Sequence, residues 1–131
     1  MRLCEENITL TGKAAALELL SIAHHEDLVE AVQDGDLHKL WYTNIPSACE
    51  MRAEISRRLE LHRQGSMYPF AVKHLATQRC VGMTTYMNIE PSQRRLEIGS
   101  TWLRKSIQRS AVNTECKWLL LKYAFEQLNC I

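Results

Sequence analysis

Three β-strand patterns follow one another between residues 68 and 103, separated only by short turns, and this succession constrains the fold most. YPFAVKHL is short and apolar, RCVGMTTYMNI is rich in β-branched and aromatic residues, and RLEIGSTWL is a further strand pattern. The connecting stretches, ATQ and EPSQR, have room only for turns. Strands joined in this way pair with their neighbours, so the sequence predicts an antiparallel meander.

A strand and a helix are predicted earlier in the chain. KAAALELL, residues 13–20, predicts a first strand, with ITLTG before it as an extended lead-in, although Ala and Leu also suit a helix. SIAHHEDLVEAVQDG then predicts a helix, because Leu28, Val29 and Val32 share one face. Ser21 is its candidate cap and Gly35 its stop signal.

The clearest helix start follows Pro46. Ser47-Ala48-Cys49-Glu50 has the pattern of a capping box, in which a hydroxyl and a carboxylate satisfy each other's backbone donors. It predicts a long helix ending near Gln64. We expect one side of this helix to be apolar and the other to lie in solvent. The first set is Met51, Ile55, Leu59 and His62, and the second is Arg57, Arg58, Glu60 and Arg63.

A last helix, Thr114 to about Asn129, carries Leu121, Phe125 and Leu128 at helical spacing and should lie against the meander. The order is therefore strand, helix, helix, three strands, helix. The predicted fold class is α/β in the mixed α+β sense, an antiparallel meander sheet with flanking helices. A chain of 131 residues without repeats or linkers predicts a single domain, residues 1–131.

Composition excludes several functional classes. Sixteen basic and fifteen acidic residues leave almost no net charge, which argues against a nucleic-acid partner. No apolar stretch is long enough to cross a bilayer, so we expect no membrane partner. Five cysteines without a C-x-x-C pair argue against both a disulfide framework and a zinc site. These features predict a cytoplasmic protein with reduced cysteines.

The histidines do not form a ligand set by spacing. His24 and His25 are adjacent rather than four residues apart, so their rings point away from one another, and the other three are scattered. We expect capping or solvated histidines and no metal.

A basic turn precedes the last helix. The unpaired N–H groups and positive dipole end of a helix start can hold a pyrophosphate without a particular side chain. Asn113 tolerates a left-handed conformation and is a good N-cap, and Arg104, Lys105 and Arg109 could add charge-assisted contacts. The alternative is a solvated basic loop ahead of a well-capped helix.

These elements, with the stretches PFAV, VGMTTYMNI, RRLEIGSTWL and QRSAVNTECKWLLLKYAFEQLNCI, resemble the amino-terminal two thirds of a GNAT-family N-acetyltransferase. The branch that includes ribosomal-protein N-terminal acetyltransferases is the most similar. The resemblance covers nearly the whole chain. It implies a GNAT-like domain that is incomplete at its carboxy terminus.

The resemblance implies acetyl-CoA as cofactor, held by the strand and helix that span Glu97 to Phe125. The family signature Gln/Arg-x-x-Gly-x-Gly/Ala is matched by residues 108–113, where Gln108 keeps the pattern and Ala111 and Asn113 replace the glycines. The cofactor-binding residues implied in this way are Trp102, Leu103, Arg104, Gln108, Arg109, Ser110, Ala111, Val112, Asn113 and Thr114.

The same resemblance implies where catalysis occurs. A backbone donor between Ser100 and Leu103 would polarise the thioester carbonyl, and Glu97 and Ser100 are the catalytic candidates for activating the amine. For Glu97, a surface carboxylate in a strand is an equally good interpretation. The general acid of many relatives is a tyrosine beyond the end of this chain, and Tyr86 and Tyr123 are not at its position.

The predicted function is an acetyl-CoA-dependent N-acetyltransferase acting on a primary amine, either a protein N-terminus or a small molecule. The alternative is a catalytically inactive, truncated module of that fold that binds CoA or a partner chain. An uncovered strand edge and an apolar helix also predict a homodimer, through residues 97–102 or 114–129.

Overall fold

A computed structural model describes residues 8–34, 45–108 and 110–128 of the chain. Five strands form one sheet: β1 Leu10–Thr11, β2 Ala15–Leu19, β3 Met67–His74, β4 Arg79–Glu90 and β5 Arg95–Leu103. Three α-helices accompany it: α1 His25–Gln33, α2 Met51–Arg63 and α3 Ala111–Glu126. Short 3-10 turns cover Ile22–His24, Pro91–Gln93 and Lys105–Ile107. The predicted order of elements is confirmed, whereas Gly35 and most of the connector before Pro46 lie outside the described residues.

The sheet order is β1-β2-β3-β4-β5, and every neighbouring pair is antiparallel. Leu17 pairs with Val72 and Phe70 pairs with Thr84, so the predicted first strand extends the meander. The mixed α/β fold class is confirmed. None of the described helices is long and apolar enough to span a membrane.

The two faces of the sheet carry separate apolar clusters, because side chains alternate along each strand. On one face Tyr68, Phe70 and Tyr86 pack beneath α3, whose Leu120 is fully buried. We call this the α3 face. On the other face, which we call the α1/α2 face, the core is built from these two helices and from strand residues such as Met83 and Trp102.

A β-bulge interrupts the pairing of β4 with β5. Thr85 pairs with Gly99, whereas Met83 pairs with Trp102, so Ser100 and Thr101 together lie opposite Thr84. Ser100 has a φ of 49°, which is uncommon for a residue other than glycine. The bulge bends the end of β5, next to the start of α3.

Helix α3 begins three residues earlier than predicted. Ser110 is its N-cap, and the Ser110 hydroxyl accepts a hydrogen bond from the Val112 N–H at 3.2 Å. Asn113 therefore lies in the first turn and is not the cap, and its φ is not positive.

The predicted inner face of α3 is wrong in part. Leu121 and Phe125 are about half exposed, whereas Leu128 is buried. The buried face instead carries Val112, Cys116, Leu119, Leu120 and Ala124. Three hydrogen bonds fix this rotation. The Tyr86 hydroxyl donates to the Leu120 carbonyl, and the Glu115 carboxylate accepts from the N–H groups of Ala14 and Ala15.

The predicted apolar side of helix α2 is confirmed, whereas its predicted polar side is wrong at one residue. Met51 and Ile55 are buried, but so is Arg58, which is 1% exposed. The Arg58 Nη1 donates to the Thr85 hydroxyl at 3.0 Å, and its Nε lies 3.4 Å from the Glu54 carboxylate. A charged side chain can be buried only when it is paired and hydrogen-bonded, and these two contacts provide for that.

Half of the predicted capping box is present before α2. The Glu50 carboxylate accepts from the Ser47 N–H at 3.0 Å. The Glu50 N–H, however, donates to the Ser47 carbonyl at 3.1 Å rather than to its hydroxyl. A turn over residues 48–50 therefore precedes the helix, which starts at Met51.

Candidate functional site

A groove of about 510 Å³ lies between the bulged end of β5 and the first turns of α3. We call it the bulge groove. Its lining residues are Ile45, Ile98, Gly99, Ser100, Thr101, Trp102, Leu103, Gln108, Asn113 and Lys117. The groove is within the usual size range of small-molecule and cofactor sites.

The bulge groove gathers five of the predicted site residues: Ser100, Trp102, Leu103, Gln108 and Asn113. Six others do not line it: Glu97, Arg104, Ser110, Ala111, Val112 and Thr114. Glu97 is exposed on β5, and Val112 is buried in the core beneath α3. Arg109 lies outside the described residues.

The loop before α3 reaches the helix without a left-handed residue. In the described stretches 104–108 and 110–114, no residue has a positive φ. The Gln108 side-chain amide donates to the Leu103 carbonyl at 2.9 Å, which holds the loop against the end of β5. Glycine is therefore not needed for backbone conformation at Ala111 or Asn113, and the replacement of the glycines leaves the helix start intact.

Arg104 is engaged inside the protein. Its Nε donates to the Asp34 carboxylate at 2.9 Å, and its Nη1 lies 3.6 Å from Glu30. The same Asp34 oxygen accepts from the Ser106 N–H at 3.1 Å and from the Ser106 hydroxyl at 2.7 Å. The hydrogen bond from Arg104, followed by those from Ser106, lowers the pKa of Asp34 to about 2. The end of α1 is thereby tied to the loop that leads into α3.

Lys117 is the groove cation that sequence reasoning missed. It is exposed, and it lies four residues after Asn113, one turn further along the same face of α3. That spacing was a usable signal in the sequence. Ile98, Gly99 and Thr101 also line the groove; they lie within the segment Glu97 to Phe125 that the family resemblance implied, but the bulge beside them was not indicated by any sequence pattern.

The bulge is held by side-chain contacts. The hydroxyls of Thr84 and Thr101 lie 2.7 Å apart across β4 and β5, and the Thr101 hydroxyl also donates to the Gly99 carbonyl at 3.3 Å. The bulge leaves the extra residue of β5 out of the strand ladder. The indole Nε1 of Trp102 is buried and has no partner among the described residues.

A second cavity of about 280 Å³ meets the bulge groove at Ile45. Its other lining residues are Pro46, Glu50, Ala53, Glu54 and Arg57. We call it the α2 cavity. Burial raises the pKa of Glu54, but the hydrogen bond from Arg57 and the charges of Arg57 and Arg58 outweigh this, so the net shift is downward. Glu54 is therefore ionised at neutral pH and held in place.

The arrangement suits an elongated anionic ligand. Helix α3 contributes Asn113 from its first turn, near the positive end of the helix dipole, and Lys117 adds a cation nearby. The bulged strand presents an extended backbone along the groove.

Comparison with protein families gives one match that covers most of the chain. The sequence model of the acetyltransferase (GNAT) domain matches residues 16–130. A search of curated protein sequences found no match.

Solved structures share the fold. A GCN5-related N-acetyltransferase from Brucella melitensis superposes with a TM-score of 0.82 at 24% identity, over 95% of this chain and 57% of that one. An acetyltransferase from Salmonella typhimurium that modifies the N-terminal serine of ribosomal protein L7/L12 superposes with a TM-score of 0.72 at 18% identity. The superposition covers 92% of this chain and 70% of that one. A ribosomal L7/L12 α-N-protein acetyltransferase in complex with coenzyme A superposes with a TM-score of 0.71 at 19% identity. This superposition covers 92% of this chain and 70% of that one.

These identities are low, so the structural likeness establishes the fold alone. The chain spans 57% to 70% of the length of these solved chains. The family match covers all of the sheet from Ala16 onward, together with α1, α2 and α3. The chain thus belongs to the GNAT acetyltransferase domain family.

Proposed function

We propose that this chain transfers an acetyl group from acetyl-CoA to a primary amine, with a protein N-terminus as the acceptor class. The observation that carries this proposal is the bulge groove, which joins a bulged strand to a helix start and a cation within one cavity. The family match gives acetyl transfer as the chemistry.

The residues present fit acetyl-CoA. The positive end of the α3 dipole suits the pyrophosphate, as do the first-turn N–H groups other than that of Val112, which the Ser110 hydroxyl caps. Lys117 supplies the positive charge that the engaged Arg104 does not. Gln108 and Asn113 line the same part of the groove. The backbone of β5 from Ser100 to Leu103 suits the amide-containing arm of the cofactor. Acetyl-CoA supplies the thioester from which the acetyl group is transferred.

Catalysis places three demands on the chain. The thioester carbonyl needs a hydrogen-bond donor, for which we propose a backbone N–H between Ser100 and Leu103. The amine must lose a proton before it attacks, and Glu97 and Ser100 are the proposed groups for this step. Ser100 lines the groove, whereas Glu97 is exposed on the same strand. The departing thiolate then takes a proton, completing the exchange of a C–S bond for a C–N bond.

The acceptor class is proposed from the relatives and from the α2 cavity. Two solved relatives are described as acting on the N-terminus of ribosomal protein L7/L12. In this chain the α2 cavity borders the bulge groove at Ile45 and carries the carboxylates of Glu50 and Glu54. We propose that the acceptor amine enters there.

A binding titration with a matched pair of variants tests the cofactor site. We expect calorimetry to show submillimolar binding of acetyl-CoA, and Lys117→Ala to weaken it by about fivefold to a hundredfold, equivalent to about 1–3 kcal/mol. Lys122→Ala is the control, because Lys122 lies one turn further on and does not line the groove. Equal affinities for both variants would remove Lys117 from the site, and absence of binding would remove the proposal.

A second measurement tests the reaction. Mass spectrometry of a serine-initiated peptide incubated with acetyl-CoA should show one added acetyl group on the α-amine. The same peptide with a blocked N-terminus is the control. Acetyl-CoA binding without product would favour a module of this family that binds CoA and does not turn over.

We also propose a homodimer formed through α3. Trp118, Leu121 and Phe125 are exposed and form one stripe at helical spacing, which is unusual for the surface of a monomer. Lys122 and Glu126 flank the stripe with opposite charges, so a two-fold related copy could pair them.

We also propose a cytoplasmic localisation, which the free thiols of Cys49, Cys80 and Cys116 support.

A further inference from the structure

Three metal-ligand side chains from three separate segments meet at the start of α1. Glu18 lies in β2, His24 lies in the 3-10 turn before α1, and Cys80 lies in β4. One ligand atom of each lies within 4.8 Å of the other two. The His24 Nε2 is 2.9 Å from a Glu18 carboxylate oxygen. None of the three lines the bulge groove or the α2 cavity.

The sheet register explains why they meet. Ala16 in β2 pairs with Lys73 in β3, and Lys73 pairs with Cys80, so Ala16 and Cys80 lie level across the three strands. Glu18 is two residues further along β2, on the same face of the sheet as Ala16. The Asp27 carboxylate accepts from the Cys80 N–H at 3.0 Å, which holds the first turn of α1 against β4. His24, three residues before Asp27, is thereby placed over Cys80. The fold itself, rather than a flexible loop, determines the grouping.

We propose that Glu18, His24 and Cys80 bind a zinc-class divalent ion. A thiolate, an imidazole and a carboxylate are the three side-chain ligands that zinc uses, and a three-ligand set leaves one coordination position open. Tetrahedral bond lengths place such ligand atoms about 3.3–3.7 Å apart, so the observed cluster needs shifts of only about 1 Å. These are side-chain adjustments and do not require a backbone change.

The open position faces a cavity. Glu18 and His24 border a space of about 330 Å³, whose other lining residues are Thr9, Leu19, Leu20 and Ser21. The Glu18 side chain is 35% exposed and that of His24 is 15% exposed, whereas Cys80 is buried. An ion can therefore enter from the cavity, past the partly exposed side chains of Glu18 and His24, and reach the Cys80 thiol.

The second nitrogen of His24 is also held. The Ser21 N–H donates to His24 Nδ1 at 3.0 Å, which keeps the ring proton of the free protein on Nε2, facing Glu18. An ion at Nε2 needs the lone pair of that nitrogen, so the ring proton moves to Nδ1, and the Cys80 thiol releases its proton to solvent as it binds. The Ser21 hydroxyl, 3.4 Å from Nδ1, is the acceptor available there. Metal binding should therefore exchange the Ser21 N–H contact for a contact to the hydroxyl.

This inference reverses the expectation of no metal. That expectation rested on the absence of C-x-x-C and paired-histidine spacing, which identifies sites built within one local segment. Here the ligands are separated by six and by fifty-six residues, as their numbers show. Only the pairing of β2, β3 and β4 brings them together.

Cobalt titration tests the site with a readout independent of activity. The protein would carry Cys4→Ser, Cys49→Ser and Cys130→Ser, which leaves Cys80 and Cys116 as its thiols. Addition of Co²⁺ should produce the thiolate-to-cobalt charge-transfer band and the strong visible bands of a tetrahedral site. Excess Zn²⁺ should abolish both.

Matched variants assign the ligands. The charge-transfer band should disappear in Cys80→Ser and persist in Cys116→Ser, because Cys116 is an equally buried thiol on the opposite, α3 face. Glu18→Gln, which keeps the side-chain shape, should retain the band and weaken cobalt affinity at least tenfold. Absence of the band in the parent, its persistence in Cys80→Ser, or unchanged affinity in Glu18→Gln would overturn the proposal.

Discussion

The contact between Asp34 and the loop before α3 makes a quantitative prediction about stability. The pKa of Asp34 is lowered from 3.8 to about 2, first by the hydrogen bond from Arg104 and then by those from Ser106. A shift of this size corresponds to about 2.4 kcal/mol, at 1.36 kcal/mol per pKa unit. A quarter of the side chain is exposed, so solvent screening reduces the expected contribution to about 1–2 kcal/mol.

The sign of the pH dependence follows from the direction of the shift. Because the folded-state pKa is depressed, the contribution is fully present above pH 4 and is lost as the pH falls through about 2. Asp34→Asn should therefore lower the free energy of unfolding by about 1–2 kcal/mol at pH 7. The difference between the variant and the natural chain should shrink steadily between pH 4 and pH 2.

Urea unfolding followed by circular dichroism at several pH values measures this difference. Glu60→Gln is the control, because Glu60 pairs with Arg63 at the surface of α2 and should give almost no change. A difference of equal size at pH 7 and pH 2 would mean that Asp34 stabilises the fold by packing and not by charge. No difference at pH 7 would refute the reasoning altogether.

Three further predictions concern α2 and α3. Arg58→Met should lower the free energy of unfolding in a urea titration by about 3 kcal/mol, because it removes one partner of a buried pair. Arg57→Met is the control and should lower it by less than about 1 kcal/mol, because Arg57 is exposed. Ser110→Ala should cost about 0.5–2 kcal/mol in thermal unfolding, because the Val112 N–H loses its cap; an unchanged melting temperature would contradict the cap. Phe125→Glu should convert the proposed dimer to a monomer in light scattering, and a natural chain that is already monomeric at tens of micromolar would count against the dimer.

Local patterns were sufficient for the elements and their order. The alternation and turn residues of the segments from Tyr68 to Leu103 predicted a meander, because short turns leave antiparallel pairing as the only arrangement. The strand-to-helix transition after Leu103 predicted a candidate anion-binding turn, because a helix start presents free donors whatever its side chains are. Ser100, Trp102, Leu103, Gln108 and Asn113, which the family resemblance implied as site residues, line the bulge groove.

The rotation of helices was decided by tertiary contacts. Helix α3 is apolar on nearly every side, so its sequence could not indicate that Leu120 is buried while Leu121 and Phe125 are exposed. The hydrogen bonds of Tyr86 and Glu115, which join α3 to strands far away in sequence, settled that rotation. Arg58 was assigned to solvent because its charge is visible in the sequence, whereas its partner Thr85 is 27 residues away.

For the charged groups, too, the sequence indicated the local pattern and the tertiary structure determined the partners. Sequence indicated that the loop before α3 is basic, but only the fold showed that Asp34 and Glu30 neutralise Arg104 and that Lys117 faces the groove. Likewise, the ligand trio of Glu18, His24 and Cys80 depends on strand register. Sequence determines which residues are available and which local elements they form, because those depend on near neighbours. Which side chains meet depends on how the elements pack, because that is set by contacts between residues distant in the chain.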